Sequence, residues 1–209
     1  MRLYIIRHGE TDWNKAKRLQ GQSDTELNDY GREIARATSE GLRDIPFKYI
    51  YSSPLSRAYE TAKILRRDRD IPIITDERLR EVGFGIDEGK PYEERSPGLH
   101  LFFDAPEEYV PTKEAESYHD LLARTQNFIE EIIVPMSQKE PDITVMISGH
   151  GAMNMALITY LQHKPLSKFW DCVFQSNCAV NIFEIDGYDF TTLEEGKLYY
   201  DGPTAPSLK

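Results

Sequence analysis

Three times along this 209-residue chain a short apolar run ends in a turn and gives way to a helix-like spacing. Residues 3–6 (LYII) lead into RHG, the apolar stretch around residues 49–51 leads into SSPLSRAYETA, and residues 143–147 (ITVMI) lead through SGHG into AMNMALITYL. Short runs rich in β-branched or aromatic residues, without polar alternation, suit strands buried on both faces, and such strands belong to parallel sheets covered by helices. The expectation is an α/β fold: a mostly parallel central sheet flanked by helices on both faces. The length fits a single domain over residues 1–209.

The helices follow from period and caps. Tyr118, Leu121, Leu122, Thr125, Phe128, Ile129, Ile132 and Ile133 recur at helical spacing, with Ser117 as N-cap and an end expected near Pro135. Ile34, Ala35, Thr38 and Leu42 predict a helix over about residues 28–43. Ser53-Pro54 reads as N-cap and first helical residue, placing Arg57 in the first turn and Ala58, Ala62 and Leu65 on the core side. Residues 178–185 (CAVNIFEI) read as a late strand.

Between residues 83 and 116 the periodicity fails. Glycines at 83, 85, 89 and 98 and prolines at 91, 97, 106 and 111 punctuate a stretch rich in aromatics and carboxylates. A segment this long without its own pattern predicts a functional loop or lid. Phe84, Tyr92, Phe102, Phe103 and Tyr109 either anchor it to the core, the commoner case, or line a ligand pocket. The tail DGPTAPSLK reads as loose.

A net charge of −10 gives no general attraction to nucleic acid or an anionic membrane, so neither is expected as a partner. No window holds the apolar run of a membrane span, and Arg7 interrupts the first apolar stretch too early for a secretory leader, so a cytoplasmic protein is expected. Cys172 and Cys178 fit no disulfide framework or zinc spacing and read as packed thiols.

An acidic chain must attract an anion locally, which gives the placement of its arginines a meaning. Arg7, His8, Arg57 and His150 all fall where strands end, the side of an open parallel sheet on which loops and helix N-termini converge. Two guanidinium forks, two imidazoles and helix-start N–H groups make a pocket for a tetrahedral dianion. Arginines beside an imidazole disfavour its protonation, keeping His8 a neutral nucleophile able to accept a phosphoryl group. Arg7, Arg57 and His150 would stabilise the charge spread over the transferring oxygens. Glu81, in LREVGFG, is the first candidate to protonate the leaving alkoxide, with Glu10, Asp87 and Glu88 as rivals. Two histidines and a glutamate are also metal-ligand types, but two adjacent guanidinium groups would repel a divalent cation, so no metal or other cofactor is expected. A lone histidine at a strand end is more often structural; His100, His119 and His163, in unmatched or helical contexts, are read as structural.

RHGETDWN, SSPLSRAYETA, LREVGFG and SGHG, in that order, resemble the histidine phosphatase superfamily, the phosphoglycerate mutase-like proteins, and the likeness extends to GQSDTELNDYGREIA and NCAVNIFEI. The resemblance implies a phosphate pocket of Arg7, Arg57 and His150, a phosphohistidine on His8 and a proton donor at Glu81. It adds Asn14 as a further phosphate contact, and Gly151, beside His150, is counted with the pocket because flanking glycines let a ligand approach the backbone. Two departures stand out: FGIDEG carries Asp87 where many members have Trp, and DTEL carries Glu26 where Pro is common. Both are expected to add negative charge near the substrate entrance.

A mutase or a sugar-bisphosphate phosphatase must hold a second anionic group, most directly with extra Arg or Lys in the lid. Here the lid's basic residues are Lys90, Arg95 and Lys113, set among many carboxylates. The expectation is therefore a metal-independent hydrolase of small phosphate monoesters. Phosphoglycerate mutase-type transfer is the alternative, and a non-catalytic phosphate-binding module a more distant one, since every motif position is filled.

Overall fold

The computed structural model describes residues 1–171, 173 and 175–201. Six strands form one sheet in the order β3-β2-β4-β1-β5-β6: β1 (Arg2–Arg7), β2 (Phe47–Ser52), β3 (Ile73–Thr75), β4 (Thr144–Gly149), β5 (Val180–Asp186) and β6 (Asp189–Lys197). The pairs β3-β2, β2-β4 and β4-β1 are parallel, while β5 runs antiparallel to β1 and β6 antiparallel to β5. The mostly parallel α/β sheet predicted from the apolar runs is present, with an antiparallel hairpin added on one side.

The alternation inside β1 shows why its run is apolar throughout. Leu3 and Ile5 pack on one face with Phe128, Ile129, Met153 and Ala156; Tyr4 and Ile6 pack on the other with Leu42, Ala62 and Leu65. Each such side chain contributes about 1.5–3 kcal/mol on burial. The first face is covered by α5 (Tyr118–Phe128) and α7 (Gly151–Leu161), the second by α2 (Asp29–Gly41) and α3 (Ser56–Arg66). Short helices α1 (Asp12–Lys15), α4 (His100–Asp104) and α6 (Val134–Lys139) complete the set. Among the described residues, no helix is long and apolar enough to cross a membrane.

Two helix ends differ from expectation. The helix expected to stop near Pro135 continues: α5 passes through a π-helical turn, Ile129–Ile133, into α6. The Val134 N–H reaches back to the Ile129 carbonyl, so the wider turn sits immediately before the proline, whose missing N–H would break an α-helical ladder. α3 begins at Ser56 rather than at Pro54, because the Ser53 hydroxyl is turned to the Leu55 N–H while Asp24, distant in sequence, accepts from the Ser56 N–H at 2.7 Å and its hydroxyl at 2.8 Å. Arg57 still falls in the first turn. Ser117 caps its helix as expected, and Asn28 caps α2.

Residues 83–116 form a cap rather than an open loop. Phe102 is fully buried at the centre of a cluster with Phe84, Phe103, Tyr109, Tyr118 and Trp170, stacked on Tyr118 at 4.6 Å, and the Trp170 Nε1–H donates to the Phe102 carbonyl at 2.7 Å. Of the two readings of these aromatics, anchoring holds for Phe84, Phe102, Phe103 and Tyr109. The cap's two ends meet where the Glu116 N–H donates to the Gly83 carbonyl at 2.8 Å, and Arg124 of α5 clamps Glu116 through both carboxylate oxygens at 2.6 and 3.0 Å.

Asp87 departs from expectation. It is fully buried, accepting from Lys90 Nζ at 2.9 Å and from the N–H and hydroxyl of Ser96 at 2.9 and 2.8 Å. Against the upward push of desolvation, these partners hold its carboxyl below the ordinary range. The substitution serves the inside of the cap and places no charge at an entrance. Glu26 is exposed. Cys178 is a buried thiol, pushed up to about 12 by desolvation, whereas Cys172 and residues 202–209 of the tail lie outside the described residues.

Candidate active site

β1, β4 and β2 are consecutive parallel neighbours, so the residues just past each strand emerge side by side at one edge of the sheet. Arg7 pairs in register with Gly149, and the His8 N–H donates to the Gly149 carbonyl at 2.9 Å, carrying the β1-β4 pairing one residue past the strands. That bond brings His8 beside His150, their rings 5.2 Å apart at 61°. Gly9 and Gly31 let the turn after His8 press on α2: a Cβ on Gly31 would stand 2.1 Å from the Glu10 carbonyl oxygen. Thr61 of α3 ties the same turn down, accepting from the Gly9 N–H at 3.0 Å while donating to the Arg57 carbonyl at 2.7 Å.

His8 is buried, and its Nδ1 lies 2.7 Å from the Gly9 carbonyl oxygen. A carbonyl only accepts, so Nδ1 carries the proton and the lone pair is on Nε2. Desolvation, then Arg57 and Arg7, hold His8 well below its ordinary value near 6.5; desolvation, then Arg57, does the same to His150. Both imidazoles are neutral at physiological pH.

This depression carries a pH dependence. Below about pH 6.5 the unfolded imidazoles take up protons that the buried ones refuse, so stability falls as pH drops, by about 1.4 kcal/mol per pH unit for each histidine. Urea denaturation between pH 7 and 5 is expected to show this slope, and His150→Gln to make it shallower. An unchanged slope in the variant would contradict the assignment.

Arg57 is fully buried, with Nη2 donating to the Gly21 carbonyl at 2.7 Å and Nη1 to the Ser23 carbonyl at 2.8 Å. Desolvation pushes it down to about 10, Glu81 and Asp24 opposing, so it stays cationic at neutral pH. Arg7 Nη1 donates to the Gln175 carbonyl. Among the described residues, the Nε atoms of Arg7 and Arg57 and both ring nitrogens of His150 are buried without a hydrogen-bond partner. Buried polar groups are rarely left unpaired, and these lie past the ends of three neighbouring strands, which makes them candidates for contact with a ligand.

Glu81 is buried at the start of α7, where its carboxylate accepts N–H bonds from Gly151 at 2.9 Å, Ala152 at 3.2 Å, Met153 at 2.9 Å and Val82 at 3.0 Å. The Gly151 N–H thus points at Glu81 here. A Cβ on Gly151 would come within 3.5 Å of Glu81 Oε2 and 3.9 Å of the Arg7 guanidinium, which places all three at one spot. Asn14 stands in the capping box of α1, its Oδ1 accepting from Thr11 and, at 3.3 Å, from Asn177 Nδ2, which also donates to the His8 carbonyl at 3.0 Å. The rivals to Glu81 are occupied elsewhere: Glu10 accepts from Asn28 at 2.9 Å, Asp87 is inside the cap, and Glu88 holds residues 22, 23 and 84.

Sequence reasoning missed the supports. Gln175 comes from a segment with no pattern of its own, Asn177 opens the matched NCAVNIFEI but is given no task, and Arg124 reads as an ordinary helix cation although its Nη2 donates to the Glu81 carbonyl at 3.2 Å. Gly21 and Ser23, which receive Arg57, lie in GQSDTEL, a stretch already matched to the superfamily but given no task.

Fold and site together describe an α/β protein with Arg7, His8, Arg57 and His150 gathered past the carboxyl ends of neighbouring strands. The family model of the histidine phosphatase superfamily (branch 1) matches residues 3–196, and the chain belongs to that superfamily. Among its relatives, the uncharacterized phosphatase PhoE of Bacillus subtilis is 34% identical over 155 residues, 74% of each chain. Glucosyl-3-phosphoglycerate phosphatase of Mycobacterium tuberculosis is 34% identical over 175 residues, 80% of this chain and 78% of the relative. Among solved structures, Bacillus stearothermophilus YhfR superposes with a TM-score of 0.86 at 35% identity, covering 94% of this chain and 97% of its own.

Proposed function

We propose that this chain hydrolyses small phosphate monoesters through a phosphohistidine on His8, with Glu81 as proton donor and no metal. The observation that carries this reading is His8 itself: Nδ1–H is committed to the Gly9 carbonyl, which leaves the lone pair on Nε2, and buried donors of Arg7, Arg57 and His150 lie around it without partners among the described residues. Nε2 attacks phosphorus, the ester P–O bond breaks, and its electron pair leaves on an oxygen that takes the Glu81 proton. Water then attacks phosphorus, gives its proton to Glu81, and the P–N electrons return to Nε2. Arg7, Arg57, the His150 N–H and Asn14 hold the equatorial oxygens, supplying the positioning and charge stabilisation that dominate phosphoryl transfer. Residues 83–116 act as the lid of a single 1–209 domain.

The phosphatase relatives support hydrolysis, and the commitments of the cap's cations favour a leaving group without a second phosphate. Lys90 is paired with Asp87, Arg95 lies over the Phe103 ring at 6.0 Å, and Lys113 is 4.0 Å from Glu114. The test is a panel of phosphate monoesters, 3-phosphoglycerate included, assayed in EDTA for wild type and Glu81→Gln. Phosphate release that persists in EDTA is expected. Glu81→Gln should slow alkyl esters by about 10²- to 10⁴-fold and p-nitrophenyl phosphate, whose leaving group needs no proton, far less. Isomerisation of 3-phosphoglycerate outrunning all hydrolysis would make the protein a mutase instead, and equal slowing of both ester types would remove Glu81 from the role.

A further inference from the structure

Glu88 has no part in the proposed reaction, yet its carboxylate is fully engaged. Oε1 accepts from the Gln22 N–H at 2.9 Å and the Phe84 N–H at 3.1 Å; Oε2 accepts from the Ser23 N–H at 2.8 Å and the Ser23 hydroxyl at 2.6 Å. Gly21 makes the approach possible, for it adopts φ +54° and a Cβ there would stand 2.1 Å from Oε1. The loop whose N–H groups Glu88 gathers is the loop whose carbonyls hold Arg57, at Gly21 and Ser23. Among the described residues no carboxylate lies within salt-bridge distance of Arg57. Its guanidinium is aimed by those two carbonyls and, at 3.4 Å, by the Thr25 hydroxyl.

We propose that Glu88 is a positioning residue: from the cap it fixes the conformation of residues 21–23, and through their carbonyls it directs Arg57 at the transferring phosphoryl group. The inference rests on the role in phosphate binding proposed for Arg57. It also assigns Glu88, the second acid of FGIDEG, a task other than proton donation. A carboxylate suits it because charge-assisted bonds to N–H groups are short and strong, and because two oxygens can each serve two donors. Phe84, one of those donors, belongs to the cap's aromatic cluster, so the seating of the cap and the aim of Arg57 share one carboxylate.

The test is a double-mutant cycle read by vanadate dissociation constant and by kcat/KM for p-nitrophenyl phosphate. Glu88→Gln turns an amide NH₂ toward N–H donors and is expected to weaken both quantities about tenfold or more when Arg57 is present. On an Arg57→Ala background the same change should cost less than twofold, because there is no guanidinium left to aim. A role in stability alone would leave the two factors equal, and that equality, or no change in either readout, would overturn the proposal. Should Glu88→Gln fail to fold, Ser23→Ala, which deletes only the 2.6 Å hydroxyl bond, goes through the same cycle with the same criterion. A wild type that binds vanadate but hydrolyses nothing would defeat the proposed activity, while the vanadate arm would still decide the role of Glu88.

Discussion

Replacing His8 by alanine is expected to lower kcat for phosphate monoesters by about 10⁵- to 10⁶-fold and to abolish covalent labelling of the protein. Nε2 of His8 is a lone pair held on a buried ring whose other nitrogen is tied to the Gly9 carbonyl, and the flanking guanidinium groups help burial to keep the ring unprotonated. His150, 5.2 Å away, is equally neutral, but as partner and donor it has no equivalent path to phosphorus in the proposed reaction. Rapid acid-free quenching of wild type with substrate, followed by intact mass measurement, should reveal a phosphoryl adduct that is stable to base and lost in acid. A variant that keeps more than a few per cent of wild-type turnover would sink the phosphohistidine mechanism.

Arg57→Ala is expected to reduce kcat by about 10³-fold or more, the scale on which a guanidinium contributes to a phosphoryl-transfer transition state. The loss should be similar for alkyl and aryl esters, because Arg57 is assigned to the transferred group and not to the leaving group. Stability is a poor readout here. Removing the side chain leaves the Gly21 and Ser23 carbonyls without their donor, which costs stability, but it also removes a cation that burial has already pushed down to about 10, which restores some. Steady-state kinetics across the ester panel is the proper measurement. A defect confined to one class of leaving group would move Arg57 out of the phosphate pocket.

The fold was legible wherever a local pattern mirrors a global environment. Runs such as residues 3–6 and 143–147 lack alternation because both their faces meet helices, and that single fact yields a parallel sheet, its covering layers and the edge at which Arg7, His8 and His150 emerge. Arg57 could be placed in a first helical turn for the same reason, even though Asp24, not Ser53, caps that helix. What could not be read depends on residues remote in sequence or on a buried environment with no periodic trace. The π-helical turn that carries a helix through Pro135, the burial of Asp87 against Lys90 and Ser96, and the task of Glu88 toward residues 22 and 23 all belong to this second kind. Carboxylates look alike in a sequence. Glu81, Asp87 and Glu88 lie within eight positions of one another, and only the groups they face separate a helix start, a cap interior and a loop clamp.

The position of β1 has a consequence for how this protein comes to exist. Its Arg2 pairs with Thr144 on one side and Glu184 on the other, so the strand that leads into His8 is sandwiched between partners encoded far downstream. During synthesis His8 leaves the ribosome before β4 and β5 exist, on an apolar segment whose sheet partners are still to be translated. Long-range pairing of this kind slows folding and leaves hydrophobic surface open to association in the meantime. The proposed nucleophile is thus made well before the strands that frame its site, and that site can be assembled only after they follow.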